Sequence, residues 1–64
     1  MPSAVIRYFR YSADSKELHV VFQSGGRYTY QDVPEKVFLA MKAAFSKGEH
    51  FNEHVRNQYR FVRE

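Results

Sequence analysis

Apolar residues recur along this chain with two periods, and the switch between them divides it. Val5 to Tyr11 is rich in β-branched and aromatic residues and predicts a strand. Ser12-Ala13-Asp14-Ser15-Lys16 is turn-like. Leu18, Val20 and Phe22 then alternate with His19, Val21 and Gln23, the period of two that marks a second strand. Ser24-Gly25-Gly26 predicts a tight hairpin, because glycine accepts the positive φ such turns need. Arg27-Tyr28-Thr29-Tyr30-Gln31 completes a three-stranded antiparallel meander. Alternation puts Tyr28 and Tyr30 on one face. In the first strand it puts Tyr8 and Arg10 on one face and Phe9 and Tyr11 on the other.

Beyond Val33 the period lengthens. Pro34 predicts a helix start, since its missing N–H costs nothing at the first helical position, and Glu35 suits the positive end of the dipole. Val37, Ala40, Met41, Ala44 and Phe45 form an apolar stripe flanked by Phe38, with Leu39 on the opposite side beside Glu35 and Lys42. Ser46-Lys47-Gly48-Glu49 fits a capping box. The helix it opens carries Phe51, Val55 and Tyr59 on one face. Arg56, Arg60 and, if the helix persists, Arg63 lie on the other. The expected fold is α+β: a single domain over residues 1–64, ordered β-β-β-α-α, with both helices on one face of the sheet.

Composition changes this picture in three ways. A 64-residue domain buries only about 60% of its unfolded surface, so its core must be dense, and six Phe and five Tyr supply that density. Cysteine is absent, so neither a disulfide nor a thiolate metal site staples the fold. The N-terminus, Met1 to Arg7, has no apolar run of signal-peptide length, and no stretch is long enough to span a membrane; a cytoplasmic protein is the default expectation. Net charge is +3, with Arg7 and Arg10 near one end, Arg56, Arg60 and Arg63 near the other, and the acids mostly between. That balance favours polyanions without being polybasic.

An ordered set of residues also carries a family likeness. It comprises Ile6, Phe9 and Tyr11, Leu18-x-Val20-x-Phe22, the glycine turn, Tyr28-x-Tyr30 and Val33-Pro34. It continues through Val37-Phe38, Met41, Ala44, Ser46-x-Gly48, Phe51-Asn52, Val55-Arg56 and Tyr59. With this set the chain resembles the KTSC family, domains of about sixty residues that occur at the C-terminus of some lysyl-tRNA synthetases and as free-standing bacterial proteins. Arg10 stands where a small residue is expected and Ser12 where an acid is expected, which makes the first strand more basic. The synthetase context implies RNA binding by association, not by mechanism.

Five constellations bear on chemistry. His50-Phe51-Asn52-Glu53-His54 reads as H-x-x-E-H, the inverted zincin pattern. Hydrolytic zinc needs a third ligand and a water-excluding cleft, and the chain offers only His19 and scattered carboxylates; the motif is read as a false positive. Arg56, Arg60 and Arg63 at spacings of four and three would share one helical side, able to follow phosphates; the plainer alternative is a solvated face. Tyr28 and Tyr30, with Tyr8, Phe9 and Tyr11, are either core or a stacking platform for unpaired bases. Ser24-Gly25-Gly26-Arg27 lacks a following helix and is a hairpin, not a phosphate cradle. Ser46-Lys47-Gly48 does precede a helix, although its cap competes for the same N–H groups. No activated nucleophile is recognisable, and no metal or cofactor is expected. The expectation is a non-catalytic module that binds RNA, single-stranded or tRNA-like. Arg56, Arg60, Lys47, Arg10 and Arg27 would contact phosphates, with Tyr28 and Tyr30 stacking on bases. The alternative is a protein-interaction module, through a homodimer or an added strand on a sheet edge, with no nucleic-acid role.

Overall fold

The meander expected from the alternation is present, and a strand that the sequence did not announce closes its far side. The computed structural model describes residues 6–64; Val5, expected to open the first strand, lies outside the described residues, as does the rest of 1–5. The elements are β1 (Ile6–Ser12), β2 (Glu17–Phe22), β3 (Arg27–Tyr30), α1 (Glu35–Ala43), α2 (Lys47–His54) and β4 (Phe61–Arg63). They build one antiparallel sheet in the order β1-β2-β3-β4. The three-stranded expectation is therefore corrected to four strands, in the order β-β-β-α-α-β.

Register decides which side chains meet. Two cross-strand rows face the helices: Tyr11–Leu18–Tyr30–Phe61 and Phe9–Val20–Tyr28–Arg63. Leu18 and Val20, at the middle of these rows, are completely buried. The opposite face carries Tyr8–Val21–Arg27 and Arg10–His19–Thr29–Val62. A bulge between Ile6 and Tyr8 adds one residue to β1, and this lets Ile6 and Phe9, three apart, both pack on the core. Gly25 takes φ +98° in the β2–β3 turn. Gly26 is needed for space, since a Cβ there would stand 3.2 Å from the Tyr28 ring.

Each helix docks through one phenylalanine. Phe38 of α1 stacks on Tyr11 (centroids 5.1 Å, 15°) and meets Phe9 edge-on at 5.9 Å. Phe51 of α2 sets its ring edge-on against Phe22 at 5.4 Å and Tyr30 at 5.3 Å. Such pairs contribute about 0.5–1.5 kcal/mol each beyond area burial. Pro34 sits at the N-cap of α1, one position earlier than expected. The helix also stops sooner: Ala44 is extended, and Phe45, assigned to the apolar stripe, is fully exposed. The reason is local. Ser46 is the extended N-cap of α2 and accepts from the Glu49 N–H at 3.3 Å, so the chain must leave helical geometry before it. Leu39 is exposed, as its phase required.

Two polar ties hold the periphery. Val33, completely buried, donates its N–H to the Lys16 carbonyl at 2.9 Å and accepts the Tyr11 hydroxyl at 2.6 Å. That fixes the β3–α1 loop to the β1–β2 hairpin. On the open face Thr29 donates to Glu64 Oε2 at 2.9 Å, with His19 Nδ1 3.0 Å from the same hydroxyl. A hydroxyl has one hydrogen, so neutral His19 carries its own on Nδ1 and donates to Thr29. This clasp secures β4, whose residues are all exposed.

A core this small rarely supplies more than about 3–5 kcal/mol. Phe51→Ala, costing about 3–5 kcal/mol, should leave a chain without cooperative thermal unfolding or dispersed amide signals. Tyr11→Phe should cost roughly 1–3 kcal/mol, because the Val33 carbonyl loses its partner. Urea unfolding would show a lower midpoint at unchanged slope; an unmoved midpoint would mean that water replaces the phenol.

Candidate functional site

Where β3 and β4 pass the C-terminal end of α2, the helix-side face does not close. It leaves a cleft of about 720 Å³. Its apolar wall is aromatic: Phe22, Tyr28, Tyr30, Phe51 and Phe61. Tyr28 and Tyr30 stack at 6.3 Å and 25°, and Phe61 leans on both at 5.4 and 5.5 Å. Tyr30 and Phe51 are buried, so they form the floor, whereas Phe61 is about half exposed and forms the rim.

Two guanidiniums stand in this wall. Arg63 points inward because it shares the row of Tyr28, and its guanidinium carbon lies 5.8 Å from that ring's centre, within cation–π range. Arg56 leaves the final turn of α2. There both the Val55 and Arg56 N–H groups bond the Phe51 carbonyl, and Asn57 turns the chain at φ +70°. Its Nη1 reaches Asn52 Oδ1 at 3.4 Å. Arg56 is also felt at Tyr30: burial, then Tyr28, push that phenol above its ordinary value, and the Arg56 charge pulls it partly back. Among the described residues, the basic side chains within 4.0 Å of a carboxylate are His19, at 3.7 Å from Glu17, and His54, at 3.8 Å from Glu53, so no Lys or Arg is matched to a carboxylate. Both guanidiniums are free to meet an external anion.

Tyr28, Tyr30 and Arg56, three of the residues singled out from sequence, are thus brought together. The others are placed elsewhere. Arg10 and Arg27 lie on the open sheet face, paired with His19 and Val21. Lys47 donates to the Ala44 carbonyl at 2.8 Å, and Arg60 is exposed just ahead of β4. The helical arginine stripe is corrected: α2 ends at His54, so Arg56, Arg60 and Arg63 occupy a turn, a connection and a strand. The basic ends do not converge, because β1 and β4 are opposite edges of the sheet. Phe61 and Arg63 escaped the sequence reading of the site as a pair; the alternation Tyr59-x-Phe61-x-Arg63 was the signal that could have found them.

A family model for the KTSC domain matches residues 2–59. The chain belongs to the KTSC domain family. A KTSC domain protein from Yersinia pestis, solved by crystallography, superposes with a TM-score of 0.91 at 26% identity, covering 100% of this chain and 90% of that one. An uncharacterized protein of Stutzerimonas stutzeri is 38% identical over 64 residues, 98% of this chain and 90% of the relative. A lysine–tRNA ligase of Nostoc punctiforme is 36% identical over 58 residues, 91% of this chain; the chain spans 10% of that ligase's length. The match to the KTSC domain includes Tyr28, Tyr30 and Arg56 and stops before Phe61 and Arg63, while the structural likeness runs over the whole chain. Among the described residues, no helix is long and apolar enough to cross a membrane.

The histidine pair is a separate feature of this KTSC domain. His50 and His54 bring their rings within 4.5 Å, and no group of three His, Cys, Asp or Glu placed to hold a metal occurs among the described residues. His50 Nδ1 is enclosed without a hydrogen-bond partner. Burial, then His54, hold His50 below the ordinary value of 6.5, with Glu53 opposing weakly. The unfolded chain therefore takes up that proton first as pH falls, so the contribution is intact above about 6.5 and is lost below it. The melting temperature should drop between pH 7.5 and 5.5, and His50→Phe should flatten the drop; an unchanged slope in the variant would clear His50 of the effect.

Proposed function

We propose that this KTSC domain is a non-catalytic RNA-binding module whose site is the aromatic cleft. The observation that carries the reading is the convergence of five aromatic rings with two guanidiniums that no carboxylate neutralises. Unpaired RNA is held in this way, bases on ring faces and phosphates on arginines. The similarity to a segment of a lysine–tRNA ligase supports RNA over other polyanions. Within this reading Tyr28 and Phe61 stack, Arg56 and Arg63 hold phosphate, and Arg10, Arg27, Arg60 and Lys47 contribute to the general positive field.

A protein-interaction role is favoured by one observation of its own, the fully exposed Phe45, with Leu39 exposed on the same helical layer. The two readings place the ligand on different residues, so one experiment separates them. Titrating the isotope-labelled domain with a short single-stranded RNA and a hairpin should shift Tyr28, Arg56, Phe61 and Arg63, and should weaken with salt without vanishing at physiological strength. Phe61→Ala should lower affinity roughly 5- to 150-fold, the range for loss of one stacking ring. Diffuse shifts that disappear at physiological salt would reject RNA as the ligand and move attention to Phe45.

A further inference from the structure

We propose that the cleft seats one unpaired nucleotide, its phosphate on the Tyr30 hydroxyl and the Arg56 guanidinium and its base against Phe61. The inference deepens the RNA reading above and rests on it.

Tyr30 supplies the independent observation. The residue is 4% exposed, and its hydroxyl has no hydrogen-bond partner among the described residues. It is nevertheless not sealed in, since His50 Nδ1 is the one fully enclosed, unpartnered side-chain polar atom among those residues. The Tyr30 oxygen therefore meets the interior of the cleft that its ring lines. A phenol so placed has lost most of its water and gains from an acceptor. Arg56, which lines the same cleft, adds a planar fork suited to two phosphate oxygens. The one carboxylate in the wall, Glu64, is drawn to the far face by the Thr29 hydroxyl and does not compete for the seat.

The limit to one nucleotide comes from size and from the placement of the other cations. About 720 Å³ is in the range of small-ligand sites, roughly 300–1,000 Å³. A groove that tracks a strand needs a row of cations leading onward. Here Arg63 lies within the cleft itself, Arg10 and Arg27 are on the opposite face of the sheet, Lys47 is held by the Ala44 carbonyl, and Arg60 stands singly just ahead of β4. The domain then recognises a strand end, a bulge or a base turned out of a helix, and not a duplex.

The test is an NMR titration with the four nucleosides, their 5′-monophosphates and inorganic phosphate, each alone. Monophosphates should bind at least about tenfold more tightly than the nucleosides or phosphate, with shifts at Tyr30, Arg56 and Phe61. Tyr30→Phe keeps the buried ring and Arg56→Gln alters an exposed side chain, so both should retain the native amide pattern. Each should erase most of the preference for the monophosphate. Equal binding of nucleoside and monophosphate, or a preference that survives Tyr30→Phe, would overturn the seat. Silence from every monophosphate while single-stranded RNA still shifts the cleft would overturn the one-nucleotide site alone; silence from both would overturn the RNA reading with it.

Discussion

The edge of the Phe51 ring, set between Phe22 and Tyr30, is the contact on which the rest of this structure depends. It fixes α2 across the β2–β3 hairpin. The corresponding contact for α1, Phe38 on Tyr11, lies over β1, so the two helices are held by separate ring clusters at different strands. Val33 and Met41 fill the space between, and the Tyr11–Val33 hydrogen bond stops the connecting loop from lifting. In a domain with so little interior, two such clusters suffice because each ring removes a large area from water at the cost of two side-chain torsions.

The same constraint creates the cleft. Phe51 meets Phe22 and Tyr30 in T-shaped pairs, so its ring stands between α2 and the strands and forms part of the cleft lining. One turn beyond Phe51 the helix ends, at His54, and Asn57 in a left-handed conformation turns the chain back toward the sheet. The residues that return must pair with β3, and alternation then sends Phe61 and Arg63 into the gap. Neither ring packing nor strand pairing alone builds the site; the floor belongs to the core and the rim to the added strand. That division makes Tyr30 both a core residue and part of the cleft lining.

Much of this was legible in sequence, and the failures share one cause. Leu18, Val20 and Phe22, with Tyr28 and Tyr30, gave the meander because a period of two has no competing explanation there. Phe51 and Val55 gave the buried side of α2, and Ser46 gave its start. What was misread lies at helix ends. Ala44 and Phe45 fit a 3.6 period, but a following N-cap only one residue on requires extended backbone, and that local demand overrides phase. Arg56, Arg60 and Arg63 also fit a helical side, yet α2 ends at His54, before any of the three, and Asn57 then turns the chain. The tail's alternation was a strand signal overlooked because it is only three residues long. Tyr28 and Arg56 do line one cleft, but not through the helical side expected of the arginines, and Phe61 beside them is not among the expected site residues.

Charge placement decides how the surface can work. Net charge is +3, and no Lys or Arg among the described residues is matched to a carboxylate, so the positive charge is unspent. It is also divided. Arg10 and Arg27 are separated from the cleft by the sheet itself, and a packed layer is roughly 10 Å deep. At physiological ionic strength exposed charges are screened over about 8 Å. On the RNA reading those arginines would raise the rate at which the polyanion arrives and add little to holding it in the cleft. On the same reading Arg56 and Arg63 would act at short range, beside the ring floor of the cleft, where charge-assisted contacts to a phosphate are the strong ones. On the RNA reading, affinity would therefore concentrate on the cleft side of the domain, and the basic open face would be left to steer.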